Sequence, residues 1–250
     1  MGTKTLAGVR SRNIFDPASQ EPYKLSRSKI ELFLQCPRCF YLDRRRGVGQ
    51  PSGPPFTLNV AVDALMKREF DIHRARGEPH ALMREFGVDA VPYRHPHLDR
   101  WRENFTGIQY LHAPTQFLFT GAVDDVWENP RGELHIVDYK ATSSQKDVTL
   151  DDEWKGGYKR QMEMYQWLFR RNGFPVSDLG YFVYVNGDAG KEHFGGKLEF
   201  RMKILPYTGN DSWVEEALAE ARACLCRDHP PASASGCEWC AYRKAAATVE

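Results

Sequence analysis

Apolar positions along the chain fall into a few clear periods. Ile30, Leu32, Phe33 and Leu34 open a helical pattern, and Ser28 followed by Glu31 has the spacing of a capping box just ahead of it. Pro37 ends or bends that helix. Residues 57–77, "TLNVAVDALMKREFDIHRARG", read as a second helix stopped by Gly77. From 78 to 106 histidines and prolines break any period, and no element is assigned. The period then changes to strands: 117–127 and 133–141 flank the turn "ENPRGE" and are expected to form one hairpin. "GYKRQMEMYQWLFRRNG", 157–173, returns to a helical pattern, and "LGYFVYVNGD" and "KLEFRMKILPY" read as later strands. Residues 212–226 form a last long helix with Ser212 as its cap, before the loop "RDHPPASASG" and the closing "CEWCAYRKAA".

This order predicts an α/β fold with a central mixed β-sheet flanked by helices. The hairpin strands are antiparallel because their turn is short. Residues 1–22, with Pro17 and Pro22 and little periodicity, read as a tail or arm, and 50–56, "QPSGPPF", as a loop. Residues 23–250 are expected to form a single domain.

Composition narrows the class. The chain has 250 residues, 42% hydrophobic and 27% charged, which fits a soluble globular protein. A formal net charge of +1 does not announce a polyanion partner, so any nucleic-acid surface must be a local patch. The first residues lack the apolar run of a signal peptide, and no stretch approaches the ~18 apolar residues of a membrane span. A cytoplasmic protein without membrane contact is expected, and there six cysteines point to metal binding more than to disulfides.

The chemistry starts in "HIVDYKATSS". Strand side chains alternate, so Leu134, Ile136, Asp138 and Lys140 share one face, and an acid and a base emerge together beyond two apolar residues. The partner segment "TGAVDDV" brings Asp124 or Asp125 towards Asp138. Two carboxylates brought together repel, and a divalent cation with oxygen ligands removes that cost. Such a cation orients a phosphate and activates water, while a lysine beside it stabilises developing charge or helps take the water's proton. The ordinary alternative is a solvated hairpin end with an Asp–Lys pair.

G-x-x-D followed by a strand ending in D-Y-K resembles the PD-(D/E)XK nuclease superfamily, in particular its RecB-type branch. In that branch the first acid follows a glycine by three positions, which selects Asp124 through Gly121. The resemblance implies that Asp124 and Asp138 bind Mg2+ or Mn2+ and that Lys140 is catalytic. The Q-x-x-x-Y pair Gln161 and Tyr165 lies on one helix face with Tyr158 nearby, and in this branch such a motif serves the active site and DNA contact. "LSRSKIELFLQCPRCFYLDRR" is similar to the branch's opening helix. Its basic side chains, Arg27, Lys29 and Arg38 among them, are candidates for phosphate contact. Where the branch often has a glycine and, four residues on, a histidine ligand, this chain has Asn59 and Asp63. Asp63 still offers an oxygen ligand suited to Mg2+ or Mn2+.

Cys36-Pro-Arg-Cys39 and Cys237-Glu-Trp-Cys240 are two C-x-x-C knuckles near opposite ends of the chain, a set able to make a tetrahedral metal site. Cys224 and Cys226 compete as ligands. Some RecB-type nucleases, including CRISPR-associated exonucleases, hold a 4Fe-4S cluster with one N-terminal and three C-terminal cysteines. The distribution here differs, so Zn2+ and an iron–sulphur cluster both remain open. Either would clip the N-terminal segment to the C-terminal one.

The expected protein is a metal-dependent DNA nuclease, exonuclease before endonuclease. By resemblance it acts on DNA with single-stranded regions or ends, in repair, recombination or CRISPR adaptation, with protein partners from those systems. The alternatives are a catalytically inactive nucleic-acid-binding subunit, or a structural, partner-binding protein organised by the four cysteines.

Overall fold

Helix α3 (Thr57–Arg76) shows how the sequence pattern becomes a core. Its buried residues are Val62, Met66, Phe70 and Arg74, each four apart, so they form one stripe. One residue beyond the first three come Asp63, Lys67 and Asp71, which therefore make a polar stripe alongside it. Gly77, at φ +68°, ends the helix in a backbone conformation open to glycine. Phe70 stacks on Trp127 with ring centroids 5.3 Å apart and also meets Tyr139. Burying such a ring contributes about 1.5–3 kcal/mol.

The computed structural model describes residues 9–51, 53, 57–152 and 155–249. The first eight residues of the expected arm, and residues 52 and 54–56 of the expected loop, lie outside the described residues. The chain divides into two compact units. One is drawn from 1–54, 109–120 and 212–250, the other from 55–108 and 121–211.

The second unit is built on a five-stranded sheet. Its strands are β2 (Val91–Pro92), β5 (Asp125–Glu128), β6 (Leu134–Thr142), β7 (Leu179–Gly187) and β8 (Phe200–Thr208), in the order β2-β5-β6-β7-β8. β6 pairs parallel with β7 and antiparallel with β5, and β7 pairs antiparallel with β8, so the sheet is mixed as predicted. A parallel pair needs a crossover, and α6 (Gly156–Arg171) lies in that connection. Val137 and Tyr139 of β6 face the cluster that includes the buried stripe of α3. The opposite face, with Asp138, meets α6 through Gln161. Every residue of α6 from Gln161 to Phe169 is buried, and its polar members reach internal partners: Glu163 accepts from Tyr207 Oη at 2.5 Å, and Gln166 donates to the Asp178 carbonyl at 2.7 Å, while Gln166 Oε1 meets no donor among the described residues. The stretch 78–106, unassigned from sequence, holds α4 (Ala81–Glu85), β2 and α5 (Leu98–Arg102).

The first unit holds β1 (Tyr23–Ser26), α1 (Arg27–Gln35), α2 (Pro37–Arg45), β3 (Ile108–His112) and β4 (Phe117–Gly121) apart from their end residues Ile108 and Gly121, α7 (Val214–Leu225) and α8 (Glu238–Ala246). Its sheet has the order β1-β4-β3, with β1 parallel to β4. The arm is anchored where it is described. Phe15 is buried against Tyr23 and Phe117, and Phe15 N–H donates to the Arg44 carbonyl at 2.7 Å.

Three local expectations are corrected. The cap of α1 is Ser26, not Ser28, because β1 runs straight into the helix. α7 is preceded by Trp213, and Ser212 does not cap it. The run 117–127 is not one strand: β4 ends at Gly121 in the three-stranded sheet and β5 starts at Asp125 in the five-stranded one. The hairpin proper is therefore β5–β6. As expected, Pro37 separates two helices, standing at the first position of α2.

Candidate active site and cysteine cluster

The break between β4 and β5 determines where the two adjacent acids point. Asp125 pairs with Val137 and lies on the Tyr139 side of the sheet, where it is fully buried. Its Oδ1 takes Arg74 and Arg102, the latter at 2.9 Å, and its Oδ2 accepts from Tyr139 Oη at 2.6 Å. Asp71 shares both arginines. Burial, then the Asp125 carboxylate, raises the Tyr139 pKa well above the usual phenol value, so its hydroxyl remains a donor.

Asp124 sits one residue before β5. The N–H of Tyr139, just past the end of the β5 pairing, donates to Asp124 Oδ2 at 3.0 Å, so a side chain takes over where the ladder stops. Arg102 Nε donates to the Asp124 carbonyl at 3.0 Å. Lys67 Nζ stands between Asp63 Oδ2, at 2.8 Å, and Asp124 Oδ1, at 3.3 Å. Burial, then repulsion from Asp124, raises the Asp63 pKa. Burial lowers that of Lys67, but the two carboxylates outweigh it and the net shift is upward.

Asp138 is wholly buried on the other face of β6. It is ion-paired with Lys140, two residues on, and its Oδ1 accepts from Gln161 Nε2 at 2.7 Å. Gln161 Nε2 also reaches Tyr165 Oη at 3.4 Å. Lys140 Nζ lies 4.4 Å from the centroid of the Tyr158 ring. Burial opposes the charge on Lys140, yet Asp138 and then Asp124 raise its pKa overall, so the ammonium responds to both acids.

Gly121 has a direct physical reason to be glycine. A Cβ there would meet Tyr165 Cε1 at 2.6 Å and Leu168 Cδ1 at 3.1 Å. The G-x-x-D spacing thus lets the Tyr165 ring lie against the chain three residues before Asp124.

Asp63, Asp124, Asp138, Lys140, Tyr158, Gln161 and Tyr165 all belong to the second unit. Arg27, Lys29, Arg38 and the four cysteines belong to the first. Two of those basic residues already have partners: Lys29 pairs with Asp43 Oδ2 at 2.7 Å, and Arg38 donates to the Pro231 carbonyl at 3.2 Å. Arg27 opens α1 half-buried. The sequence reading missed Lys67, Arg74 and Arg102. Only Lys67 carried a signal, its i, i+4 spacing from Asp63.

Cys36, Cys39, Cys237 and Cys240 converge as the paired knuckles required, with their sulfurs all within 4.8 Å of one another. Cys39 Sγ lies 3.6 Å from both Cys237 and Cys240, and Cys36 Sγ lies 3.8 Å from Cys240. Cys224 contacts the Pro37 carbonyl instead, and Cys226 is exposed. Four soft, convergent thiol groups suit a tetrahedral metal. Among the described residues no helix is long and apolar enough to cross a membrane.

A search of curated proteins finds no match. The family model described as the PD-(D/E)XK nuclease superfamily does match, over residues 57–245. It begins at the first residue of α3 and spans every acid, lysine and glutamine of the cluster around Asp138. That span is well over half the chain, and with it this chain belongs to the PD-(D/E)XK nuclease superfamily.

Proposed function

We propose that the protein is a divalent-metal-dependent deoxyribonuclease of RecB type that hydrolyses phosphodiester bonds in single DNA strands or single-stranded ends, acting as an exonuclease. The observation that carries this reading is Asp138, a fully buried carboxylate held between the Lys140 ammonium and the Gln161 amide, with Asp124 in electrostatic reach of the same ammonium. A structural ion pair at a hairpin end would be solvated, and this one is not.

The residues fit Mg2+ or Mn2+. The donor set is oxygen only, from Asp124, Asp138 and Asp63. Lys67 already brings positive charge between two of these acids. A divalent ion bound there supplies Lewis acidity and lowers the pKa of water. The protein's own groups do the rest. Gln161 fixes the orientation of Asp138, and Tyr165 fixes Gln161. Lys140, covered by the Tyr158 ring, stabilises charge developing on the phosphate. On the first unit, Arg27, Lys29 and Arg38 are that unit's own candidates for phosphate contact. By resemblance to the RecB-type branch, the setting is repair, recombination or CRISPR adaptation in the cytoplasm.

At the four cysteines the reading is zinc in a structural role. A tetrahedral ion with Zn–S bonds of about 2.3 Å sets its sulfurs about 3.8 Å apart, against the 3.6 and 3.8 Å found here. A cubane cluster binds each cysteine through a different iron and spreads the sulfurs farther.

Labelled single- and double-stranded DNA, incubated with Mg2+ or Mn2+, tests the nuclease. Cleavage of single strands that disappears in Lys140→Ala is the expected result. No cleavage of either DNA with either ion, or equal cleavage by Lys140→Ala, overturns it.

A further inference from the structure

A cavity of 330 Å3 lined by Lys140 shares Tyr184, Lys146, Asp147 and Val148 with a second cavity of 330 Å3 that reaches Lys203. The strand registers explain the arrangement. Lys140 of β6 pairs with Tyr184 of β7, and Tyr184 with Lys203 of β8. Directly paired residues project to the same face, so Lys140, Tyr184 and Lys203 form one row across the sheet. It is the face that carries Asp138. One row further along, Thr142 pairs with Asn186, and Asn186 with Arg201.

Charge along this row favours an anion. Of the acids in the cavity walls, Asp152 is taken by Lys155 at 2.7 Å and Asp147 by Lys203 at 3.0 Å. Lys146, which lines both cavities, is exposed and has no ion pair among the described residues. Tyr184 supplies an independent observation. The residue is 2% exposed, and its buried hydroxyl has no hydrogen-bond partner among the described residues. Folded proteins seldom leave such a group unmet. A hydroxyl in that state, in a cavity wall beside two lysines, is suited to an oxygen-rich ligand. The volume of each cavity is at the small end for ligand sites, the size of one nucleotide.

We propose that these cavities form a subsite for the nucleotide adjoining the scissile phosphate, and that the sugar–phosphate chain of a single DNA strand crosses the sheet from Lys140 past Tyr184 towards Lys203. Tyr184 donates its hydroxyl to the backbone of that nucleotide, and Lys146 neutralises its phosphate. This inference rests on the nuclease reading above and adds to it the path of the substrate.

The test measures binding apart from cleavage: fluorescence anisotropy of a labelled oligodeoxythymidylate on the full chain, with no divalent ion added. Tyr184→Phe is expected to weaken binding by about five- to tenfold, the share of one hydrogen bond, without lowering the melting temperature, since the lost hydroxyl has no partner among the described residues. Lys146→Ala weakens binding and reduces its salt dependence. Lys191→Ala, at an exposed lysine paired with Glu199, binds as the wild type does. If Tyr184→Phe and Lys146→Ala bind as tightly as wild type while cleavage of DNA persists, the subsite is wrong and the nuclease reading stands. Equal weakening by Lys191→Ala, or cleavage without measurable metal-free binding, also overturns the subsite. A wild-type protein that neither binds nor cleaves overturns the function itself.

Discussion

Two neighbouring aspartates, conservatively changed, should fail in opposite ways. In Asp125→Asn the buried carboxylate that holds Arg74, Arg102 and the Tyr139 hydroxyl loses its charge. Both arginine side chains are nearly buried, at 8% and 9% exposure, so water cannot replace the lost partner. Removing one member of a buried ion pair costs about 3–5 kcal/mol. Asp71 still pairs with both arginines, which puts the expected loss at about 3 kcal/mol, or roughly 6–12 °C in melting temperature for a domain of this size. Asp124→Asn is a different change. Its side chain is 23% exposed, its amide oxygen can still accept the Tyr139 N–H, and its pairing with Lys67 is of the partly solvated kind worth about 0–1 kcal/mol. Its melting temperature should fall by no more than about 4 °C. Cleavage should reverse the order. Losing an acid that would hold the catalytic ion costs about a thousandfold or more in rate, some 4 kcal/mol of barrier. Asp125→Asn, assayed at 20 °C on a labelled oligonucleotide, should lose only about tenfold, through slack in the Arg102–Asp124 contact. Thermal melts by circular dichroism and initial cleavage rates give both readouts. If Asp125→Asn melts with wild type and cuts nothing while Asp124→Asn unfolds early and cuts normally, the assignment of the two faces is refuted.

Further outcomes follow from single contacts. Gly121→Ala should cost about 1–3 kcal/mol of stability by overpacking and reduce cleavage as well, because the new Cβ meets the Tyr165 ring at 2.6 Å; a fully active variant with wild-type melting would deny that Tyr165 depends on this glycine. Cys237→Ser should lower bound metal and the melting temperature together, read by elemental analysis and calorimetry, and unchanged values of both would count against a structural clip. Burial pushes the Asp43 carboxyl up, but Arg44, Lys29 and Arg10 outweigh it and depress its pKa. A depressed folded value contributes stability above the unfolded carboxylate pKa of about 3.9, lost as pH falls through the folded one. The melting temperature of wild type should therefore fall more steeply below pH 4 than that of Asp43→Asn, and parallel curves would refute it.

What could be read from the chain was what local pattern encodes. The stripe of α3, the glycine that stops it and the D-x-K spacing on β6 each follow from side-chain period and turn chemistry within a few residues. The two cysteine knuckles were legible because their spacing has one common chemical use. The capping errors came from the same locality: Ser26 and Ser28 offer the same chemistry, and the choice between them was made by the pairing of β1 with β4, a partner some ninety residues away. Arg74 and Arg102 carried no signal at all. One lies within a helical stripe otherwise apolar, the other in a stretch without period, and their shared partner Asp125 exists as a partner only in the folded chain.

The split of 117–127 was not legible in the sequence. "FLFTGAVDDVW" alternates equally well as one strand or as two, because alternation specifies faces and not neighbours. Which sheet a strand joins depends on edges that become available only in tertiary structure. Yet the chemical consequence is decisive. A continuous strand would impose one fixed alternation on Asp124 and Asp125. The break frees Asp124 from the ladder, so its carboxylate can accept the Tyr139 N–H and still approach Lys67 and Asp63, while Asp125 begins β5 facing the buried arginines. The two acids are thus separated by chain geometry, not by residue type. The Gly121–Tyr165 contact holds Gly121, three residues before Asp124, against α6, which also carries Gln161. One close approach of backbone to an aromatic ring therefore couples the position of the first acid to the glutamine that orients the second.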